Sequence, residues 1–231
     1  MIKNKDININ ININTNYIIA EYDIKEEDVN KNIRIITSYE EWMRTNGYKE
    51  IENEYKNEKQ IKDCEIEING ELIPFNYFYQ IKSKRKLTIK YSFNNNIDNT
   101  AYMFNECSSL TYIDLSNFNS NNVTNICYMF NECSSLTHIN LSNFNTKNVI
   151  DMGYMFNGCS SLTSIDLSSF NTNNVTNMSC MFRGCSSLTR INISNFNTDN
   201  ATIMVGKFRG CSNLRNENVI AKDKKILNEF E

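Results

Sequence analysis

A 26-residue pattern governs residues 107–214. It reads CSSLTYIDLSNFNSNNVTNICYMFNE from Cys107, CSSLTHINLSNFNTKNVIDMGYMFNG from Cys133, CSSLTSIDLSSFNTNNVTNMSCMFRG from Cys159 and CSSLTRINISNFNTDNATIMVGKFRG from Cys185, and CSNL opens a fifth copy at Cys211. A fixed period of this size, with no insertion, marks a chain built from stacked units. One unit cannot bury its own apolar face, so the copies must pack on one another.

Two apolar spacings alternate within a unit. Leu110, Ile113 and Leu115 form L-x-x-I-x-L, which predicts a short strand facing a core. After Phe118 and a polar bend come Val123, Ile126, Met129, Phe130 and Cys133. That second spacing predicts one face of a short helix, with Asn121 or Asn122 as its N-cap. Gly158, Gly184 and Gly210 stand where such a helix would end in a left-handed residue, a place held by Glu106 and Glu132 in earlier copies. The resulting expectation is an α/β repeat solenoid: right-handed, with a parallel sheet on one side and helical segments on the other.

The L-x-x-I-x-L core resembles a leucine-rich repeat, and MFNGCSSLTSIDLS resembles the repeat of BspA-type leucine-rich repeat surface proteins. The resemblance spans residues 99–214 and rests on the recurring F-x-x-C-S-x-L. One departure is that Phe118, Phe144, Phe170 and Phe196 hold the usual asparagine place, with Asn119, Asn145, Asn171 and Asn197 one residue later. The resemblance implies the solenoid fold, surface attachment and adhesion.

Four segments follow from the pattern. Residues 1–16 alternate Ile and Asn and read as a low-complexity tail. Residues 17–93 read as a small β-rich module, with strands at 17–24, 32–38, 64–70 and 87–93. Asn69-Gly70 supplies a two-residue hairpin turn, and Ser38 with Glu41 a helix-opening capping box. Residues 94–214 are the repeat, with 87–107 as an atypical first unit. Residues 215–231 read as a C-terminal cap, in which Val219, Ile220, Ile226, Leu227 and Phe230 cover the last unit.

Net charge is −3, and Lys and Arg are scattered, so no basic footprint for nucleic acid appears. The trio Lys84, Arg85 and Lys86 reads as a solvated loop. The abundance of asparagine reads as compositional bias. No run of 18 apolar residues encodes a membrane span, and the N-terminus lacks the apolar core of a signal peptide. The chain as written therefore reads as cytoplasmic, against the surface location that the family resemblance implies. Five of the eight cysteines share one repeat column beside Phe, which predicts buried free thiols. With no C-x-x-C and one histidine, zinc is not expected.

No nucleotide or hydrolase motif occurs, and His138 shares a column with Tyr112, Ser164 and Arg190, so no general base recurs. Asp114 and Asp166 lie two strands apart on an open sheet. The chain is read as non-enzymatic, with no cofactor and no metal. Recognition is what remains. Residues between the core positions of each strand point outward. Thr111, Thr137, Thr163 and Thr189 stay fixed while Tyr112, His138, Ser164 and Arg190 vary. The candidate binding face is therefore Tyr112, Asp114, His138, Asn140, Ser164, Asp166, Arg190 and Asn192. The expected role is binding an unidentified protein partner or surface glycan, the alternative being a structural or array-forming surface protein with no discrete ligand site.

Overall fold

The computed structural model describes residues 16–49 and 53–227. The tail expected at residues 1–16 lies outside them except for Asn16, as does Phe230 of the expected cap. In chain order come β1 (Tyr17–Asp23), β2 (Asn32–Arg34), α1 (Tyr39–Thr45), α2 (Glu58–Lys62), β3 (Cys64–Ile68), β4 (Glu71–Ile73), β5 (Phe78–Gln80) and β6 (Lys86–Phe93). The repeats then supply β7 (Leu110–Asp114), β8 (His138–Asn140), β9 (Ser164–Asp166) and β10 (Arg190–Asn192), with β11 (Val219–Ile220) after them. The architecture is β-rich and repetitive, with two short α-helices among the described residues.

Asn69 (φ 50°) and Gly70 (φ 89°) are both left-handed, as the tight β3–β4 turn requires. Ser38 caps α1 by accepting the Glu41 amide at 3.1 Å. A six-stranded sheet has the order β4-β3-β6-β1-β7-β8. β1 runs antiparallel to both β6 and β7, so it covers the edge of the first repeat strand. This corrects one expectation: residues 87–93 are not the parallel neighbour of β7, because β1 takes that place. The half-unit after them does stack, through a parallel bridge from Asn99 to Asn125.

Where the repeat strands pair they do so in parallel at intervals of 26: Ile113 faces Ile139, and Ile165 faces Ile191. Leu110, Leu136, Leu162 and Leu188 are fully buried beneath the strands. The opposite wall holds no helix, contrary to the expectation for residues 123–133 and their repeats. It is built of turns. Alternate amides leave their own unit: Ile126, Tyr128, Phe130 and Glu132 donate to Asp151, Gly153, Met155 and Asn157 carbonyls at 2.7–3.0 Å. Of the amides between them, Met129 and Asn131 close four-residue turns on Ile126 and Tyr128, and Cys127 donates to the Asn125 side chain. A helix would keep every amide inside one segment, whereas this wall spends half of them joining units. The same i, i+3 spacing of apolar residues serves both. Left-handed residues recur here, at Tyr128 (φ 56°) and Glu132 (φ 58°), which explains why glycine is welcome at position 158.

Side chains stack in the same register. Phe104, Phe130, Phe156, Phe182 and Phe208 form a buried column with centroids 5.6–5.7 Å apart. Tyr102, Tyr128 and Tyr154 form another at 4.6 Å. All eight cysteines are buried and unbridged. Cys133, Cys159, Cys185 and Cys211 each donate Sγ–H to a Phe carbonyl of the preceding units at 3.0–3.2 Å. Asparagine also has work here, since Asn157 donates to Asn131 and Asn131 to Asn105, both at 2.6 Å. Compositional bias alone does not describe it.

Both ends of the stack are covered. Trp42 of α1 lies 5.0 Å from the Tyr102 ring, and Asn57 donates to the Ala101 carbonyl at 2.6 Å. At the other end β11 pairs with β10, Val219 and Ile226 are buried, and Ile220 is exposed. Asp223 accepts both the amide and the hydroxyl of Thr198, ending a ladder in which Thr146 and Thr172 donate to the Asn171 and Asn197 carbonyls at 2.9 Å.

Candidate functional site

The alternation of each repeat strand sends Ile113, Ile139, Ile165 and Ile191 inward and their neighbours outward. Tyr112 faces His138 and Asp114 faces Asn140 in one ladder; Ser164 faces Arg190 and Asp166 faces Asn192 in another. His138, Ser164, Asp166 and Arg190 are exposed, while Tyr112, Asp114, Asn140 and Asn192 are partly covered. Tyr112 lies opposite Glu21 of β1. Burial, with the Asp114 and Glu21 carboxylates nearby, pushes its phenol up, so it stays neutral at ordinary pH. His138 Nδ1 lies 3.0 Å from the Thr137 hydroxyl.

The second column also has a local task. Asp114, Asn140, Asp166 and Asn192 each accept the amide two residues on, from Ser116, Ser142, Ser168 and Ser194, at 2.8–3.2 Å. These side chains close the turn that ends each strand. Asp166 is further served by the Ser168 hydroxyl, Asn192 and Arg190, which together hold its carboxyl below the usual range. It is therefore an anion at ordinary pH, held by hydrogen bonds within its own turn.

The eight candidates therefore form two groups of four, and the sheet is broken between them. β8 ends the six-stranded sheet; β9 begins a separate one of order β11-β10-β9. The same repeat positions show the missing bonds. Leu115 donates to the Asn140 carbonyl at 3.0 Å, Leu167 to Asn192 at 2.8 Å and Ile193 to Ile220 at 2.9 Å, but Leu141 does not donate to Asp166. Thr137 and Thr189 amides reach the strand before them, and the Thr163 amide does not. Their hydroxyls repeat this, with bonds from Thr137 and Thr189 at 3.0 Å and none from Thr163.

One residue marks the break in the sequence. Asn143 and Asn195 donate their side-chain amides to the Ser116 and Ser168 carbonyls at 3.0 and 2.5 Å. In the third unit that place is Ser169, too short to reach Ser142. The seam is limited at both ends, by Ser160 Oγ on the Ser134 carbonyl at 3.3 Å and Thr146 Oγ1 on the Asn171 carbonyl. Between them lies an open cleft of about 410 Å³, lined by Ile139, Asn140, Leu141, Ser142, Asp166, Ser168 and Ser169. Ile139, unlike the fully buried Ile113 and Ile191, is partly exposed. Reading residues column by column picked out Asn140 and Asp166 here but missed Ser169, although it is the one exception to S-N-F among Asn117, Asn143 and Asn195.

A smaller hollow of about 280 Å³ lies on the turn wall between Glu54, Asn125, Ile150 and Asp151. Burial pushes the Asp151 carboxyl up, and Glu54 adds to this. Among the described residues, no group of three His, Cys, Asp or Glu side chains converges as metal ligands would. No helix among them is long and apolar enough to cross a membrane.

No curated protein and no solved structure matches this chain. A family model described as "Mycoplasma protein of unknown function, DUF285" matches residues 98–222, just over half of the 231 residues and all of the repeat units from the first parallel bridge to β11. By that match, the chain belongs to the DUF285 family.

Proposed function

We propose that this chain is a non-enzymatic interaction protein of the BspA-like, leucine-rich-repeat-like kind, a right-handed solenoid that binds a protein or surface glycan through its exposed sheet face. The reading is carried by the pairing of unlike outward residues on a fixed frame. Tyr112 sits beside His138 and Ser164 beside Arg190, while the threonines next to them do not change. A scaffold that holds its neighbours constant and varies one column offers recognition without altering the fold. Tyr and Arg are the residue types that most often dominate interfaces. Binding at the cell surface accords with this reading.

The test is capture of ligands by the immobilised chain from cell-surface fractions, followed by affinity measurement. Tyr112→Ala and Arg190→Ala should each weaken binding by about 1–3 kcal/mol, and the outer-wall changes Lys147→Ala and Asn173→Ala should not. A larger loss from the outer-wall pair would move the binding face elsewhere. A second reading, an array-forming structural protein, draws on the exposed Ile150, Ile203 and Val205 of the turn wall. Sedimentation velocity separates the two: reversible lateral assembly lost in Val205→Asp would favour the array.

A further inference from the structure

We infer that the cleft between β8 and β9 is a binding site for a neutral saccharide, an inference that rests on the sheet-face reading and gives it a ligand class. The cleft combines three features that no other part of the face brings together. Its walls are strand edges with unmet backbone groups, the Leu141 amide on one side and the Asp166 carbonyl on the other. Its lining carries short groups that donate and accept, from Asn140, Ser142 and Ser169. Its apolar lining comes from half-buried Ile139 and from Leu141.

Charge narrows the class. No Lys or Arg lines the cleft, so nothing there draws an anion. Asp166 is in turn close to Arg190 on the next strand and accepts the Ser168 amide, so it does not call for a cation. No aromatic ring lines the space, which disfavours flat aromatic ligands. Vicinal hydroxyls, each both donor and acceptor and borne on a ring with an apolar face, match this surface.

Geometry separates a sugar from a peptide strand. A strand added between β8 and β9 needs about 4.8 Å to each neighbour, or about 10 Å in all. The units cannot part that far as a whole. Phe156 donates its amide to Met181 at 2.9 Å and Gly158 to Arg183 at 2.7 Å on the turn wall, and rungs close both ends of the seam. What opens is a short cleft on the sheet face, whose volume of about 410 Å³ suits one or two sugar rings.

The experiment titrates the full chain, labelled with nitrogen-15, with methyl glycosides of glucose, galactose, mannose and N-acetylglucosamine, and with a blocked tripeptide. At least one glycoside should saturate shifts of the Leu141, Ser142 and Ser169 amides, with Kd on the order of 1 mM for so small a ligand. Without ligand, the Leu141 amide should exchange with solvent faster than those of Leu115, Leu167 and Ile193. Ser169→Asn restores the residue of the other units and should weaken glycoside binding by about tenfold or more, while Lys147→Ala leaves it unchanged. Should that variant not fold, Ser142→Ala takes its place, since it removes a hydroxyl that lines the cleft and keeps the backbone amide that Asn140 accepts, and a loss of binding is again expected.

Silence from every glycoside overturns the proposal, as does unaltered binding in the variant or a response to the tripeptide alone. The sheet-face reading is judged separately, by Tyr112→Ala and Arg190→Ala against captured partners. It survives a failure here.

Discussion

The turn wall and the strand wall of the repeat share one 26-residue register but hold it differently. On the turn wall every unit gives alternate amides to the next, and the Phe and Tyr columns stack without a gap from Phe104 to Phe208 and from Tyr102 to Tyr154. On the strand wall the ladder runs from β7 to β8, stops, and resumes from β9 to β11. Register is therefore guarded redundantly on one side, which frees the other to lose a rung without unstacking the units. A surface that varies from copy to copy is tolerable on the side that does not hold the stack together.

The largest test of that difference is truncation of the buried wall. Phe156 is fully buried, with rings 5.6 and 5.7 Å away on either side. Phe156→Ala should cost about 3–5 kcal/mol, read as a shift in denaturant midpoint. Ile139→Ala, at the seam, should cost only about 1–2 kcal/mol, because part of that side chain already meets water. Equal losses would mean that the two walls share the load.

Next in size is the buried hydroxyl ladder beside the turn wall. Thr172 donates to the Asn197 carbonyl at 2.9 Å and accepts the Asn197 amide at 2.8 Å. Thr172→Ala leaves both backbone groups of half-buried Asn197 without their partner and should destabilise by about 1–2 kcal/mol. Thr172→Ser, which keeps the hydroxyl, should recover most of that. If serine fares no better than alanine, packing and not hydrogen bonding holds this row.

A smaller effect is expected at Asp151, the one acid in a row of asparagines. Its side chain accepts the Gly153 amide at 2.8 Å, as Asn125 and Asn177 accept those of Cys127 and Ser179. Burial raises its carboxyl above the ordinary value of 3.8. A raised acid is easier on the fold while protonated, so its cost is absent below pH 3.8 and grows as pH rises through the folded value. Asp151→Asn should therefore stabilise at pH 7, by on the order of 1 kcal/mol, and the gain should fade below pH 4. A gain that persists in acid would assign it to something other than charge.

The same contrast explains what could be read in the sequence. Period, strand positions and the buried cysteine column follow from residue types repeated in register, and L-x-x-I-x-L left one reading for the strands. Val123, Ile126, Met129 and Phe130 left two, because a helix and a stack of turns both bury every third or fourth residue. What separates them is the destination of the amides, which no side chain announces; Gly158 and its repeats signalled left-handed backbone, but not the turn around it. β1 was legible as a strand and not as the neighbour of β7, since edge pairing joins residues some 90 positions apart, such as Glu21 and Tyr112. Of the candidate face, the outward positions were legible. The seam was not, because it is written in one missing amide at Ser169.

The smallest expected effect is the one that locates the seam most directly. Thr111, Thr137, Thr163 and Thr189 are identical in sequence, and three of them work alike. Thr111 donates its hydroxyl to the Glu21 carbonyl, Thr137 to Thr111 and Thr189 to Thr163, each at 3.0 Å. Thr163 has no such bond to Thr137, because β8 and β9 have parted there. A partly solvated hydroxyl–carbonyl bond contributes about 0.5 kcal/mol, the low end of the usual range. Thr137→Ala and Thr189→Ala should each lose that much, and Thr163→Ala should lose nothing measurable, although β-propensity and burial are matched among exposed Thr137, Thr163 and Thr189. Introduced into a Ser169→Asn background, Thr163→Ala should begin to cost as much as its neighbours, because the restored rung brings the Thr137 carbonyl within reach. Equal losses at all three positions in the native background would mean that the ladder is continuous and the seam does not exist in solution.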